Sequence, residues 1–329
     1  MKWIIKRFIR SIMAILLSTS ITFFLVRLMP GNPISSLLYQ YIVEFRLPPD
    51  KATEIVSALF AIDLNEPLWS QYLKYIYNVL RGNLGFSYTS YGTPVITMIA
   101  YALPWTIFIV SISIILSFST GILLGMIAAY KRGGLLDNSL SLYASVVASL
   151  PSYVIGVLLL IFLSYNLGIF PRGGRYDPRI QPGFTLEFIS SVLYHACLPV
   201  LSYTITNMGS WALTMKNSTI SVLGEDYVLA AEARGLKKRR IIISYVGRTA
   251  ILPLFTSLMI SIGAMFGGSI FIETIFLYRG MGYLLSRSLS VFDYPVLQGC
   301  LNIVIISTIV ANFIADILYS KIDPRVRRE

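Results

Sequence analysis

The chain has 329 residues, 55% of them hydrophobic and only 13% charged, with a formal net charge of +11. That balance excludes a soluble globular domain and places the chain among proteins that cross a membrane several times. Two cysteines and a single histidine argue against a disulfide framework or a metal centre, and no cofactor is expected. The positive charge reads first as membrane topology and contact with anionic headgroups, not as nucleic-acid binding.

Six stretches free of Asp, Glu, Lys and Arg are the candidate spans: 11–26, 82–130, 138–171, 188–215, 249–272 and 294–315. A helix rising about 1.5 Å per residue needs roughly 20 residues to cross about 30 Å of hydrocarbon. Five windows meet that length outright. The first has 16 residues, but the aliphatic stems of Arg10 and Arg27 can snorkel outward, and Leu28 and Met29 extend the apolar run. With Lys2, Lys6, Arg7 and Arg10 before it, this window also has the form of a signal-peptide core. No small-x-small cleavage site follows, so it is read as a retained span. The predicted fold class is all-α, a polytopic membrane protein with six transmembrane helices.

After the first span, PGNP (Pro30 to Pro33) forces the chain out of helix. The segment that follows, to about Tyr91, is placed outside and is rich in tyrosine. Within it Leu68, Tyr72, Tyr75, Ile76 and Val79 share one helical face, which suits an interfacial helix or a surface for an extracellular partner. Residues 1–98 are thus an N-terminal span with an extracellular segment, and 99–329 a core of five spans.

Spans two and three, about 101–129 and 138–165, are joined by the short turn KRGGLLD. Gly121 and Gly125 form a GxxxG pair that would let a neighbouring helix approach closely. Pro104, Pro151, Pro199 and Pro253 lie in or beside spans, where kinks are expected. The outside loop from Asn166 to Leu193 is hydrophilic and turn-rich, and His195 follows at a membrane boundary. Span four, near 194–215, is the most polar, with Ser202, Tyr203, Thr204, Thr206, Asn207 and Ser210. Such groups need partners in lipid, so either an interhelical hydrogen-bond cluster or a solute-lining wall is expected. Span five, about 250–272, ends near Glu273, which lies within reach of Arg279 or Arg287 in sequence. Tyr203, Thr206, Asn207, Ser210 and Glu273 are the candidate pathway-lining residues. Span six, about Val296 to Leu318, carries Asn312 and Asp316 on one face, with Asp316 either paired internally or solvated.

Between spans four and five lies the one long, densely charged connection. Seven of the 27 basic residues fall between Lys216 and Arg248. Residues Asp226 to Arg234 suit a short helix: Glu225 and Asp226 at its positive end, Ala230, Ala231 and Ala233 in its middle, Arg234 at its negative end. Gly235 stops it, and Leu236 to Val246 can form a second helix returning to the membrane before Pro253. With both termini cytoplasmic, the inside segments carry 17 of the 27 Lys and Arg. This positive-inside bias places the knob in the cytoplasm, where it would dock another protein.

No GxxxxGK[ST], HExxH, GxSxG or CxxC occurs, so nucleotide hydrolysis and the common catalytic devices are not expected on this chain. Paired acids in mid-span are also missing, which argues against a self-powered pump.

Several stretches, in order, resemble one family. VRLMPGNP (Val26 to Pro33) is similar to its LxPGDP, YNVLRGNLGFSY (Tyr77 to Tyr88) to its LxGxLGxS, and ASLPSYVIG (Ala148 to Gly156) to its SxPxFxxG. DYVLAAEARG followed by RTAILP resembles its coupling segment, and GMGYLL, FDYPVLQG and KIDPRVR match its later stretches. The family is the permease subunits of binding-protein-dependent ABC importers, in particular the B-type subunit of dipeptide, oligopeptide and nickel systems. The resemblance implies a type I importer architecture with a coupling helix–turn–helix, here 216–249, seated in a groove of a separate cytoplasmic ATPase. It also implies a second, C-type permease, an extracellular solute-binding protein, and residence in the cell membrane. Carried over by position, Ala230, Ala231, Ala233 and Gly235 match that segment, and the candidate ATPase-coupling residues are Ala230, Ala231, Glu232, Ala233, Arg234, Gly235 and Leu236. Leu229 stands at the family's glutamate position, and Glu232 where many relatives carry a basic residue. The expected function is uptake of di- or oligopeptides driven by ATP hydrolysed on other chains. Oligosaccharides, nickel complexes or a secondary-transport mode are the alternatives.

Overall fold

A computed structural model describes residues 2–28, 38–39, 41–60, 66–90, 92–267 and 270–322. The PGNP turn and the tail beyond Ile322 lie outside the described residues. In chain order the helices are α1 Lys2–Leu28, α2 Pro49–Phe60, α3 Leu68–Leu80, α4 Val95–Tyr130, α5 Leu135–Ala148, α6 Ser152–Asn166 and α7 Leu186–Leu223. They continue as α8 Asp226–Ala233, α9 Lys238–Ala250, α10 Leu252–Ala264, α11 Ile270–Ile275, α12 Met281–Ser290 and α13 Tyr294–Ile322. Among the described residues the fold is all-α, the one β feature being an isolated bridge between Phe86 and Pro94.

Four helices are long and apolar enough to cross a membrane alone: α1, α4, α7 and α13. The remaining crossings are bent pairs. Helices α5 and α6 meet at 99°, and α9 and α10 at 53°, which makes six spans if each pair is one. The third span is therefore not the single helix 138–165 expected from its uncharged window. Its 14-residue first half rises only about 21 Å, and Pro151 starts the second half in a new direction. Pro253 likewise sits in the first turn of α10, where a missing N–H costs nothing. Pro104 and Pro199, by contrast, lie inside α4 and α7, which run on without interruption. The fifth span also begins earlier than expected, because α9 is its first half.

Helices α4 and α7 form the most extensive contact in the molecule, and the GxxxG pair is where they cross. A Cβ on Gly121 would stand 2.5 Å from Trp211 Cβ, and one on Gly125 would be 2.9 Å from Met215 Cβ and closer still to the Ala212 carbonyl oxygen. Small residues repeat the device on the other side of α7, where Gly209 lies against Ala144 of α5. Helix α3 closes on α1 and α13 through its tyrosines: Tyr72 stacks on Phe24, Tyr75 packs on Phe23 at 5.0 Å, and Asn302 Nδ2 donates to Tyr75 Oη at 2.6 Å. The amphipathic face read from the sequence is thus largely used within the chain, with Leu68 alone of its five residues exposed. Arg7 of α1 pairs with Asp316 of α13, which settles the alternatives for Asp316 in favour of internal pairing.

Gly125→Leu is expected to separate α4 from α7, because the neighbour it would strike is backbone and cannot rotate away. Overpacking of this kind costs about 1–3 kcal/mol or more. The purified variant should melt several degrees below wild type in detergent, whereas Gly183→Ala, with open space around its Cβ position and no positive φ, should lose much less.

Candidate functional site

Three places carry the sequence-derived candidates. The first is the turn at 226–236. Helix α8 ends as predicted, on Gly235 with φ +69°. Gly235 N–H donates to Glu232 O at 2.9 Å and Leu236 N–H to Ala231 O at 3.3 Å. These are the paired bonds of a Schellman stop, which a residue with a Cβ adopts only under strain. Val228 and Ala231 point inward and join Trp211, Met215, Val222, Ile241 and Val246 in one core, with Leu236 packed against it. Tyr227 Oη bonds Thr249 Oγ1 at 3.1 Å and Ser218 Oγ donates to Ala250 O at 2.7 Å, so α7, α8 and α9 are tied together. Leu229, Ala230, Glu232, Ala233, Arg234 and Gly235 are exposed. The seven candidates therefore divide: Ala231 and Leu236 seat the helix, and the other five, with Leu229, form its free face.

The second place is a cavity of about 210 Å³ between α4, α7 and α10. Tyr203 and Asn207 line it, together with Ser113, Ser117, Trp211 and Ser261, which the sequence did not single out. Thr206 and Ser210 lie on α7 beside this wall but outside its lining. The polar groups of α7 mostly bond their own helix. Ser202, Thr206, Asn207 and Thr214 each donate to the carbonyl four residues back, at 2.7 to 2.9 Å. Tyr143 Oη donates across to Ile205 O at 2.6 Å. An extended interhelical cluster, one of the two expectations for span four, is not what satisfies these side chains.

The third place is Glu273, and here the expectation is corrected. It is fully buried and lies apart from the cavity. Among the described residues it pairs with no arginine. Thr106 Oγ1 donates to its Oε1 at 2.9 Å and Tyr283 N–H to its Oε2 at 3.2 Å, while Thr106 Oγ1 accepts from Met281 N–H at 2.7 Å. The carboxylate holds the N-terminal turn of α12 onto α4, and Gly280 is small because a Cβ there would stand 2.5 Å from Glu273 Oε2. A second buried acid, which the sequence reading missed, acts alike at the start of α13. Asp293 accepts from Tyr88 N–H at 3.0 Å, Thr89 N–H at 3.1 Å and Thr89 Oγ1 at 2.8 Å, and from Ser87 Oγ. Each acid accepts from a segment far away in sequence, Glu273 from Thr106 and Asp293 from residues 87–89, an arrangement with no local sequence signal.

The helical chain of 329 residues, with a Gly-terminated knob at one end of its bundle, has relatives among known proteins. Residues 121–328 match the family described as "Binding-protein-dependent transport system inner membrane component". The chain belongs to that family. This permease is 30% identical to the oligopeptide transport system permease protein AppB of Bacillus subtilis (strain 168), over 98% of each chain. It is 31% identical to the dipeptide transport system permease protein DppB of Lactococcus lactis subsp. cremoris (strain MG1363), over 99% of each. To the di/tripeptide permease protein DppB of Pseudomonas aeruginosa (strain UCBPP-PA14) it is 32% identical, over 94% of each. A solved structure of the MetNI methionine ABC transporter superposes with a TM-score of 0.55 at 15% identity, covering 69% of the permease and 97% of that chain. The architecture is that of an ABC importer permease.

Replacing Glu273 tests its clasp. Glu273→Ala leaves Thr106 and the Tyr283 N–H without their acceptor, each lost partner costing about 1–3 kcal/mol. Its melting temperature should fall clearly below that of Glu273→Gln, which keeps one acceptor oxygen.

Proposed function

We propose that the permease is the B-type subunit of an ATP-driven peptide importer, working with a C-type permease, cytoplasmic ATPase subunits and an extracellular solute-binding protein. The observation that carries this reading is the full-length similarity to permeases named for dipeptides, di/tripeptides and oligopeptides. In this reading the knob end of the bundle faces the cytoplasm in a cell membrane, with both termini on that side, in keeping with the basic bias of the inside segments. ATP is bound and hydrolysed on the partner chains.

The exposed face of α8 seats in the ATPase. Ala230 and Ala233 let the helix lie deep in a groove, Leu229 supplies an apolar contact where a glutamate is usual, and Glu232 and Arg234 frame it. Movement of the ATPase reaches the membrane through α9, because α9 runs directly into α10 at the Ile251–Pro253 bend. Solute passes the wall carrying Tyr203 and Asn207, with Thr206 and Ser210 next to it on α7.

ATP-driven uptake of a labelled dipeptide into proteoliposomes holding the complete complex is the test. Gly235→Pro cannot keep a positive φ, and such a mismatch costs more than about 1 kcal/mol. Uptake should drop at least about tenfold. Ala233→Glu, on the free face, should lose the ATPase on purification yet melt like wild type. Ala231→Glu, inside the core, should lower the melting temperature as well. Full uptake by Gly235→Pro would refute the coupling role.

A further inference from the structure

At the end of the bundle opposite the knob, a cavity of about 770 Å³ lies between the loop 172–182, the end of α6 and the turn after α11. Its walls include Tyr165, Tyr176 and Leu277, and three arginines line it: Arg172, Arg175 and Arg279. The side chains of Arg172 and Arg175 rest on aromatic rings, and the backbone between them is pinned. Gly174 N–H donates to Phe276 O at 2.9 Å, and a Cβ on Gly173 would stand 2.7 Å from the same oxygen, so the RGGR turn lies directly on the backbone that leads to Arg279. The Arg175 guanidinium packs over Trp105 at 4.9 Å and donates to Arg279 O at 3.4 Å, while Arg172 packs over Tyr165 at 4.8 Å.

What is missing is the counter-charge. Among the described residues no carboxylate lies within ion-pair distance of any of the three. The nearest acid in the loop, Asp177, is taken by Arg179, whose guanidinium holds it down to about 2. Burial lowers the proton affinity of Arg175, and the charge of Arg279 pushes the same way. Like charges on one rim are unfavourable, most of all at the partly buried Arg175, unless an anion completes them. The volume falls in the range of small-ligand sites, about 300–1,000 Å³, and the mixture of apolar walls with a few directed polar groups is typical of them.

We propose that this cavity is a carboxylate-binding site that receives the C-terminal carboxylate of a short peptide as it enters the permease. Guanidinium forks match a carboxylate in geometry and charge, and Tyr165, Tyr176 and Leu277 offer apolar surface to the peptide's side chains. The choice of a peptide among carboxylates rests on the proposed function. An acidic side chain of the binding protein is the other source of the same group, and the experiment separates the two.

The full chain in lipid nanodiscs is titrated with trialanine carrying an N-terminal fluorophore, and with its C-terminal amide, by fluorescence anisotropy. The acid should bind at least about tenfold more tightly than the amide, the discrimination of one charge-assisted hydrogen-bonded contact. Arg172→Gln combined with Arg279→Gln, both exposed positions, should abolish that preference while the melting temperature stays at the wild-type value. Equal binding of acid and amide, no binding of either, or a preference that survives the double variant would overturn the site. If instead the double variant weakens capture of the purified binding protein while trialanine never binds, the arginines meet a protein carboxylate and the peptide site is wrong. A clear acid preference in a permease whose complete complex imports no peptide on ATP would support the site and count against the importer reading alone.

Discussion

Helices surrounded by lipid gain little from hydrophobic association, since acyl chains are as apolar as the side chains they replace; close packing has to hold them. In this permease the decisive packing is the backbone approach of α4 and α7 at Gly121 and Gly125. Trp211 and Met215, which cover those glycines, are also members of the core that seats α8 through Val228 and Ala231. Phe118 meets the Trp211 ring edge-on at 5.1 Å from the same side. The crossing, the knob and the lower part of α9 are thus one packed body. The cavity with Tyr203 and Asn207 opens just above it on the same two helices.

Motifs that look unrelated along the chain acquire a shared purpose in three dimensions. GNLGFSY, near residue 85, and FDYP, near residue 293, meet through Asp293, whose carboxylate gathers four backbone and side-chain donors of Ser87, Tyr88 and Thr89. GMGYLL is bound to α4 through Glu273 and Thr106. Gly156, from ASLPSYVIG, leaves room for the ring of Phe276 at 3.3 Å from where its Cβ would be. In each of these stretches a residue meets a partner far away in sequence.

The features legible in the sequence were those governed by local or one-dimensional physics. Uncharged windows marked the spans, alanines and Gly235 marked α8 and its stop, and order of motifs marked the family. Bends were legible only in part. Four prolines looked equivalent, yet Pro151 and Pro253 begin new helices while Pro104 and Pro199 sit within continuous ones. Glu273 looked like an interfacial acid near two arginines because sequence proximity was the only guide; its acceptor bonds come from residues 106 and 283. The knob's inward and outward faces were likewise invisible, since Ala230, Ala231 and Ala233 differ only in what lies beneath them. The arginine-lined hollow needed the folding of the 172–182 loop onto Phe276, a contact about a hundred residues long in sequence.

The hydrogen-bonding habit of α7 has a mechanical meaning. Ser202, Thr206, Asn207 and Thr214 return their donors to their own helix, so these four side chains carry their polar satisfaction with them. Where such a group faces a neighbour, that neighbour can shift or withdraw without stranding its hydroxyl or amide in an apolar setting, where each stranded group would cost about 1–3 kcal/mol. The cross-helix bonds from Tyr143 to Ile205 O and from Ser218 to Ala250 O are of the other kind: they hold α7 to α5 and to α9 in one register, and a movement there has to break them. Helix α7 thus combines pinned points with polar side chains that place no demand on what lies beside them.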